Sequence, residues 1–327
     1  MSAVSAAVGG DAFLHYAFFY DNTDEYVGVT SDFVSRGVDA GEAVLVAVPT
    51  PRYSILRDCE WSRHPRVELL DMSELGRNPG RIISLWQDFV SRSVGGGGGD
   101  GGGGSVRGVR GIGEPVWAGR SAAELVECHW HEQLLNLAFA DVAGFPLMCP
   151  YDVSVLDPEV VEAARRSHPL TYLAGALAPS SSFAGGPRAT DDLDVPLDEP
   201  PPSSDLIAFG AGQLSAVRRI VFEYVTQAGL SPHRTADVLV AVNEVATNSL
   251  RHGGGHGEVR VWLSEGAVVC EVRDGGRIGQ ALVGRVRSSL GAMGGRGLWL
   301  VHQLCDFVEI RSGEGGTTVR MSFYLPG

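Results

Sequence analysis

The sequence predicts two domains of different construction: an N-terminal α/β domain with a mostly parallel sheet, and a C-terminal α+β two-layer sandwich. Three observations lead there. Up to about residue 175, short all-apolar runs alternate with helical stretches, the pattern of parallel strands covered on both faces. From about 178 to 207 the chain is rich in Pro, Ser, Gly and Asp, with Pro200-Pro201-Pro202 near the end. That composition cannot bury a core and reads as a disordered interdomain linker. Beyond it two helices come first, and strands of alternating polarity follow, so helices and hairpins segregate.

Taken in order, Phe13 to Tyr20 is an apolar run of strand length, and residues 22–37 are helical up to Gly37. Ala43 to Val48 is a solid apolar strand closed by Pro49; Val67 to Leu70 is another, followed by a helix from Arg81 to Ser91. Gly95 to Gly104 is glycine with one aspartate, Asp100, and reads as a flexible insertion. A strand is predicted at 106–112, a helix at 121–139, a strand at Phe145 to Cys149 and a helix from Pro158 to Arg166. The domain is thus expected over 11–175. After the linker, Leu214, Val217, Val221 and Tyr224 recur at helical spacing. Ser231-Pro232 is an N-cap with proline at the first helical position, opening a helix that runs to His252 and stops at Gly253-Gly254-Gly255. Strands follow at Val259 to Leu263 and Val268 to Val272, then a helix from about Gly297, then strands at Phe307 to Ile310 and Val319 to Leu325. This second domain is expected over 208–327.

Composition removes several functions. At 327 residues, each half is large enough for its own core. The net charge of −13 argues against direct nucleic-acid binding, which needs a basic surface. No apolar run reaches the ~18 residues of a membrane span. The N-terminus has no basic n-region, and the five cysteines are odd in number and scattered; a cytoplasmic protein with free thiols is expected. All 26 basic residues are arginine. Without lysine there is no P-loop lysine, no protein-kinase-type catalytic lysine and no Schiff base. Phosphate must be handled by backbone amides, arginine or a metal ion.

The second domain carries such a set. Glu244, Asn248 and His252 stand at i, i+4 and i+8, one stripe of one helix. Asp274-Gly275-Gly276, Gly294-Gly295-Arg296-Gly297 and Gly315-Gly316-Thr317-Thr318 follow. The Asn248 carboxamide suits Mg²⁺, which takes oxygen ligands and keeps waters and phosphate oxygens. Glu244, one turn earlier, can orient or deprotonate a hydroxyl near a γ-phosphate. Asp274 can accept from an adenine amino group, Gly295-Arg296-Gly297 offers amides at a helix start, and Thr318 a hydroxyl near the base. Each piece alone is ordinary: a solvated face, a turn, a hairpin glycine. Their ordered coincidence within one α+β domain points to a nucleotide site.

On these residues the second domain resembles the GHKL (Bergerat-fold) ATPases, and among them the anti-sigma-factor serine kinases. Glu244, Asn248 and His252 match the N-box, Asp274 and Gly276 the adenine-binding Asp-x-Gly, Gly295 and Gly297 the ATP-lid motif, and Gly316-Thr317-Thr318 the last motif. The resemblance implies ATP and Mg²⁺ as cofactors, Glu244 as base, Asn248 as metal ligand and His252, Asp274, Gly276, Gly295, Arg296, Gly297 and Thr318 around the nucleotide. It also implies a homodimer that partners a sigma factor and phosphorylates a serine of a STAS-type anti-anti-sigma antagonist. Ile278 stands where the stricter Asp-x-Gly-x-Gly has glycine, and the lid, 279–293, is short. The alternative is therefore an inactive ATP-binding or nucleotide-free module that sequesters a sigma factor. A sensor histidine kinase fits poorly, because the helix at 211–228 contains no histidine and the linker leaves no room for a four-helix bundle.

The first domain resembles the MEDS sensory domain, through Gly41-Glu42-Ala43-Val44-Leu45, Gly113-Glu114-Pro115-Val116-Trp117, Glu132 with Asn136, Cys149-Pro150-Tyr151-Asp152 and His168-Pro169. The resemblance implies a sensing role. Within it Cys128, His131 and Glu132 share a helix face at i, i+3 and i+4. Metal sites usually draw ligands from several elements, so core packing is the better reading of that trio.

Overall fold

The computed structural model describes residues 13–95, 106–185, 196–264, 266–287 and 296–326. The chain divides into two compact units, Met1–Leu193 and Asp194–Gly327. The glycine-rich insertion at 96–104, part of the linker and Gly295 lie outside the described residues.

The first unit is the expected α/β layer structure. Its sheet has the order β3-β2-β4-β5-β1-β6-β7. The strands are β1 (Leu14–Tyr20), β2 (Ala43–Val48), β3 (Val67–Asp71), β4 (Val109–Gly113), β5 (Pro146–Asp152), β6 (Leu170–Leu173) and β7 (Ala176–Pro179). Every pairing is parallel except β6 with β7. The helices are α1 (Thr23–Ala40), α2 (Thr50–Leu56), α3 (Ile82–Gly95), α4 (Ala122–Ala138) and α5 (Pro158–Ser167). Local chemistry sets their ends. Asn22 accepts from the Glu25 amide at the start of α1, and Gly41 closes it at φ 78°. Ser121 and Glu124 form a capping box at the start of α4.

Period-two alternation then assigns faces. On β1, Tyr16, Phe18 and Tyr20 join Tyr26, Phe33 and Val34 of α1 in one core. His15, of opposite parity, bonds instead to Glu132 and Asn136 of α4. Both faces are covered, which is why the strands read as unbroken apolar runs.

The second unit is one antiparallel sheet of order β11-β12-β10-β9-β8 with helices on one face. Its strands are β8 (Asp205–Gly210), β9 (His256–Ser264), β10 (Ala267–Asp274), β11 (Phe307–Gly313) and β12 (Gly316–Tyr324); its helices are α6 (Leu214–Gln227), α7 (Pro232–His252) and α8 (Arg296–Leu304). The core joins Val217, Val221 and Val225 of α6 and Val238, Val242 and Val245 of α7 to Val259, Val272, Val319 and Met321 of the strands. Burying a Val or Met side chain contributes roughly 1.5–3 kcal/mol each before the opposing conformational entropy. On the other sheet face, Glu271 is fully buried between Arg273 (2.6 Å) and Arg320 (2.6 Å). There Arg320 also donates to the Asp198 carbonyl (2.5 Å), and Arg273 pairs with Glu199 (3.2 Å).

The structure differs from expectation at the linker. Its first residues belong to β7 and its last to β8, neither of which was expected. β8 is an edge strand whose only fully buried side chain is Phe209, so backbone pairing with β9 holds it and composition gives no sign of it. β6 and β7 are joined by Ala174 and Gly175, both at positive φ, a two-residue turn matched to strand twist. All five cysteines are free, four of them buried. Among the described residues no helix is long and apolar enough to cross a membrane.

Candidate functional site

The stripe on α7 borders a cavity in the second unit. Glu244, Asn248, Arg251 and His252 line one side of a space of about 970 Å³. Asp274 and Gly276, at the end of β10, line another, and Arg296 and Gly297 at the start of α8 a third. Val245, Leu282, Val283 and Leu298 supply apolar wall.

Asp274 is held from both sides. Ser249, next to Asn248 on α7, donates its hydroxyl to Oδ2 (2.6 Å), and the Gly276 amide donates to Oδ1 (2.7 Å). The carboxylate is thus fixed yet keeps lone pairs free for a donor in the cavity. Thr317 donates to the Gly276 carbonyl (2.9 Å) and touches Ser312 Oγ (2.8 Å), which accepts from the Ile278 amide (2.8 Å). The turn after β10 is therefore clamped at Gly276 and at Ile278.

Two glycines stand at close approaches, Gly276 against backbone and Gly297 against side chains. A Cβ on Gly276 would stand 2.6 Å from the His252 carbonyl oxygen and 2.9 Å from Asp274 Oδ1. A Cβ on Gly297 would stand 2.8 Å from Glu244 Oε2 and 3.3 Å from Asn248 Nδ2. The start of α8 therefore lies directly against the two α7 side chains, where its unpaired amides and Arg296 can face an anion. Ile278 takes no left-handed backbone conformation and packs against the core, so the missing glycine leaves no strain.

Of the residues singled out in the sequence, Glu244, Asn248, His252, Asp274, Gly276, Arg296 and Gly297 border the cavity. Thr318 does not: on β12 it has opposite parity to buried Thr317 and Val319, so its hydroxyl points to the other sheet face. The hydroxyl at the site belongs to Thr317. Ser249, Arg251 and Ser312 were missed, and Thr317 was named only as part of its motif. Arg251 and Ser249 were readable as neighbours on α7; Ser312 was not, since its place depends on the β11–β12 register.

The first unit has its own polar centre at the carboxyl ends of its strands. Buried Glu114, just past β4, accepts from Tyr20 (3.0 Å) and Tyr26 (3.1 Å). Arg52 lies 3.9 Å from Glu114, donates to Asp152 (2.6 Å) and stacks over both tyrosine rings. Burial outweighs the arginine and pushes the Glu114 carboxyl up to about 8. Cys128, His131 and Glu132 are all buried. Cys128 Sγ donates to the Pro115 carbonyl (3.2 Å), and burial raises its thiol to about 12.

Residues 207–323 match the model of the histidine kinase-like ATPase domain, so the class of the second unit is that of these ATPases. Residues 14–169 match the MEDS family, the MEthanogen/methylotroph, DcmR Sensory domain, and the chain joins the two. No curated protein matches it. A solved structure of the RsbU and RsbW domains of Rv1364c from Mycobacterium tuberculosis is similar at 21% identity and a TM-score of 0.28, over 37% of this chain and 32% of that one. This chain thus spans about a third of that protein's solved length.

Proposed function

We propose that the C-terminal domain binds ATP with Mg²⁺ and transfers its γ-phosphate to a serine of a STAS-type anti-anti-sigma partner, so controlling a sigma factor that the same domain holds. The protein would act in the cytoplasm. The observation that carries this reading is the single cavity bordered by Glu244, Asn248, Asp274, Gly276 and Gly297. The donor set fits the cation: a carboxamide beside a carboxylate suits a hard ion that keeps phosphate and water ligands. Bound there, Mg²⁺ would neutralise charge developing on the phosphates. Asn248 would hold it, Glu244 would take the proton of the attacking serine hydroxyl, and Asp274 would accept from the adenine amino group. Arg251 and Arg296 replace lysine as the cationic side chains beside the polyphosphate. The N-terminal domain would bias the kinase in response to a signal received at its own polar centre.

Calorimetric titration of ATP into the full chain, with and without Mg²⁺ and beside Asn248→Ala, tests the first step. Mg²⁺-dependent binding that disappears in the variant is expected; no binding to the wild type would end the kinase reading and leave a protein-binding module. Phosphotransfer to a purified serine-bearing partner, abolished in Glu244→Ala while complex formation persists, tests the second.

A further inference from the structure

We propose that His15, Glu132, Cys149 and His168 form a buried, four-coordinate site for a borderline-soft divalent metal of the Zn²⁺ type in the N-terminal domain. The four come from four places in the fold: β1, α4, β5 and the residue after α5. None is more than 1% exposed. One ligand atom from each lies within 4.8 Å of all the others. His15 Nε2 is 3.0 Å from Glu132 Oε2 and 3.4 Å from Cys149 Sγ; His168 Nε2 and Cys149 Sγ are 3.4 and 3.5 Å from the same carboxylate oxygen. Metal–nitrogen and metal–sulfur bonds of about 2.0–2.3 Å give a tetrahedron with edges of about 3.3–3.6 Å. The observed separations need only small adjustments to meet it.

Hydrogen bookkeeping favours a cation over a set of hydrogen bonds. The Asn136 amide nitrogen donates to the carbonyls of Ser167 (2.8 Å) and Glu132 (3.3 Å), so its oxygen faces His15 and the hydrogen of that bond (3.0 Å) sits on His15 Nδ1. His168 Nδ1 donates to the Ala164 carbonyl (2.8 Å). Both imidazoles therefore turn a bare Nε2 lone pair towards the Glu132 carboxylate. His168 Nε2 is buried and makes no hydrogen bond. Three acceptor groups converge, and the Cys149 thiol has one hydrogen to share among them.

The surroundings complete the arrangement. Both histidines donate from their far nitrogen, and Tyr151 donates to the second Glu132 oxygen (3.2 Å), the outer contacts that fix ligands around a metal. Two neutral imidazoles, one carboxylate and one thiolate balance a divalent charge, as a site without solvent requires. Binding forms four metal–ligand bonds, breaks the Cys149 S–H bond and releases that proton to water. A cavity of about 260 Å³ bordered by Glu132 and Tyr151 provides the route in.

The test uses the full chain, reduced, with Zn²⁺ or Co²⁺ as probe. About one equivalent of Zn²⁺ per chain should resist a colorimetric chelator, and Co²⁺ should give tetrahedral-intensity visible bands with a thiolate charge-transfer band in the near ultraviolet. That band should vanish in Cys149→Ser and survive in Cys128→Ser. Asn136→Ala, which leaves all four ligands, should weaken Zn²⁺ binding by roughly 10–100-fold. Should Cys149→Ser not fold, the wild-type and Cys128→Ser spectra still decide. Failure of the wild type to retain either metal, or a Co²⁺ spectrum without thiolate character, would overturn the site in favour of a purely hydrogen-bonded cluster.

Discussion

Two polar centres of this chain, the cavity beside α7 and the His15–Glu132–Cys149–His168 cluster, are built by opposite rules. The first is open, takes its key side chains from one helix stripe and the turns that face it, and buries none of Glu244, Asn248 or His252 fully. The second is closed, takes one side chain from each of four separate segments and leaves none more than 1% exposed. An open site can lose a functional group and keep its fold, whereas a closed one cannot. The consequences of substitution should therefore fall on different observables in the two places.

The largest contrast is in stability. Glu132→Ala leaves the Tyr151 hydroxyl and the Cys149 thiol without their acceptor beside a void, and should cost about 2–5 kcal/mol in denaturant unfolding of the N-terminal domain. Glu244→Ala should change unfolding by no more than about 0.5 kcal/mol. Equal losses would erase the distinction. Next, Glu244→Gln should slow phosphotransfer at least about 100-fold with nucleotide affinity nearly unchanged, followed with labelled ATP. A smaller effect separates two glycines of one loop. Gly276→Ala must push against the His252 carbonyl and should destabilise by about 1–3 kcal/mol, whereas Gly279→Ala meets nothing within 4 Å and should be close to neutral.

The closed domain should also carry the stronger pH signature. Glu114 titrates near 8 in the folded state against an ordinary 4.5, so the native protein binds the extra proton between those values. The stability this contributes is complete below 4.5 and lost as pH rises through about 8. Glu114→Gln should flatten that slope in urea titrations across the window. Smallest of all, Thr317→Ala should weaken ATP binding about fivefold through its lost bond to Gly276, and Thr318→Ala should leave it within about twofold.

The same contrast explains what the sequence revealed. Glu244, Asn248 and His252 are spaced by helical turns, and Gly276 and Gly297 announce close backbone approach, so the open site could be read along the chain. Thr318 was chosen over Thr317 because period-two parity on β12 is set by its pairing with β10 and β11, which no local pattern states. The two-layer organisation was legible because both cores impose their periodicities on the chain. The pairs β6–β7 and β8–β9 were not, since edge strands bury few side chains. His15, Glu132, Cys149 and His168 are spread over more than half of the first unit, and only the parallel register of β1 with β5 sets His15 opposite Leu147, two residues from Cys149. Three of them carried the resemblance to a sensory domain without a role being visible.

The contact of Asp198 and Glu199 with Arg320 and Arg273 has a mechanical side. Chain entering the ATPase domain is fastened to β10 and β12, one residue before Asp274 and three after Thr317. The fastening is light: a carbonyl bond and a largely exposed ion pair, worth about 1–2 kcal/mol together. Tension on residues 196–199 would thus fall first on the two strands that end at the cavity beside α7. It would also unfasten there before anything in the core gave way.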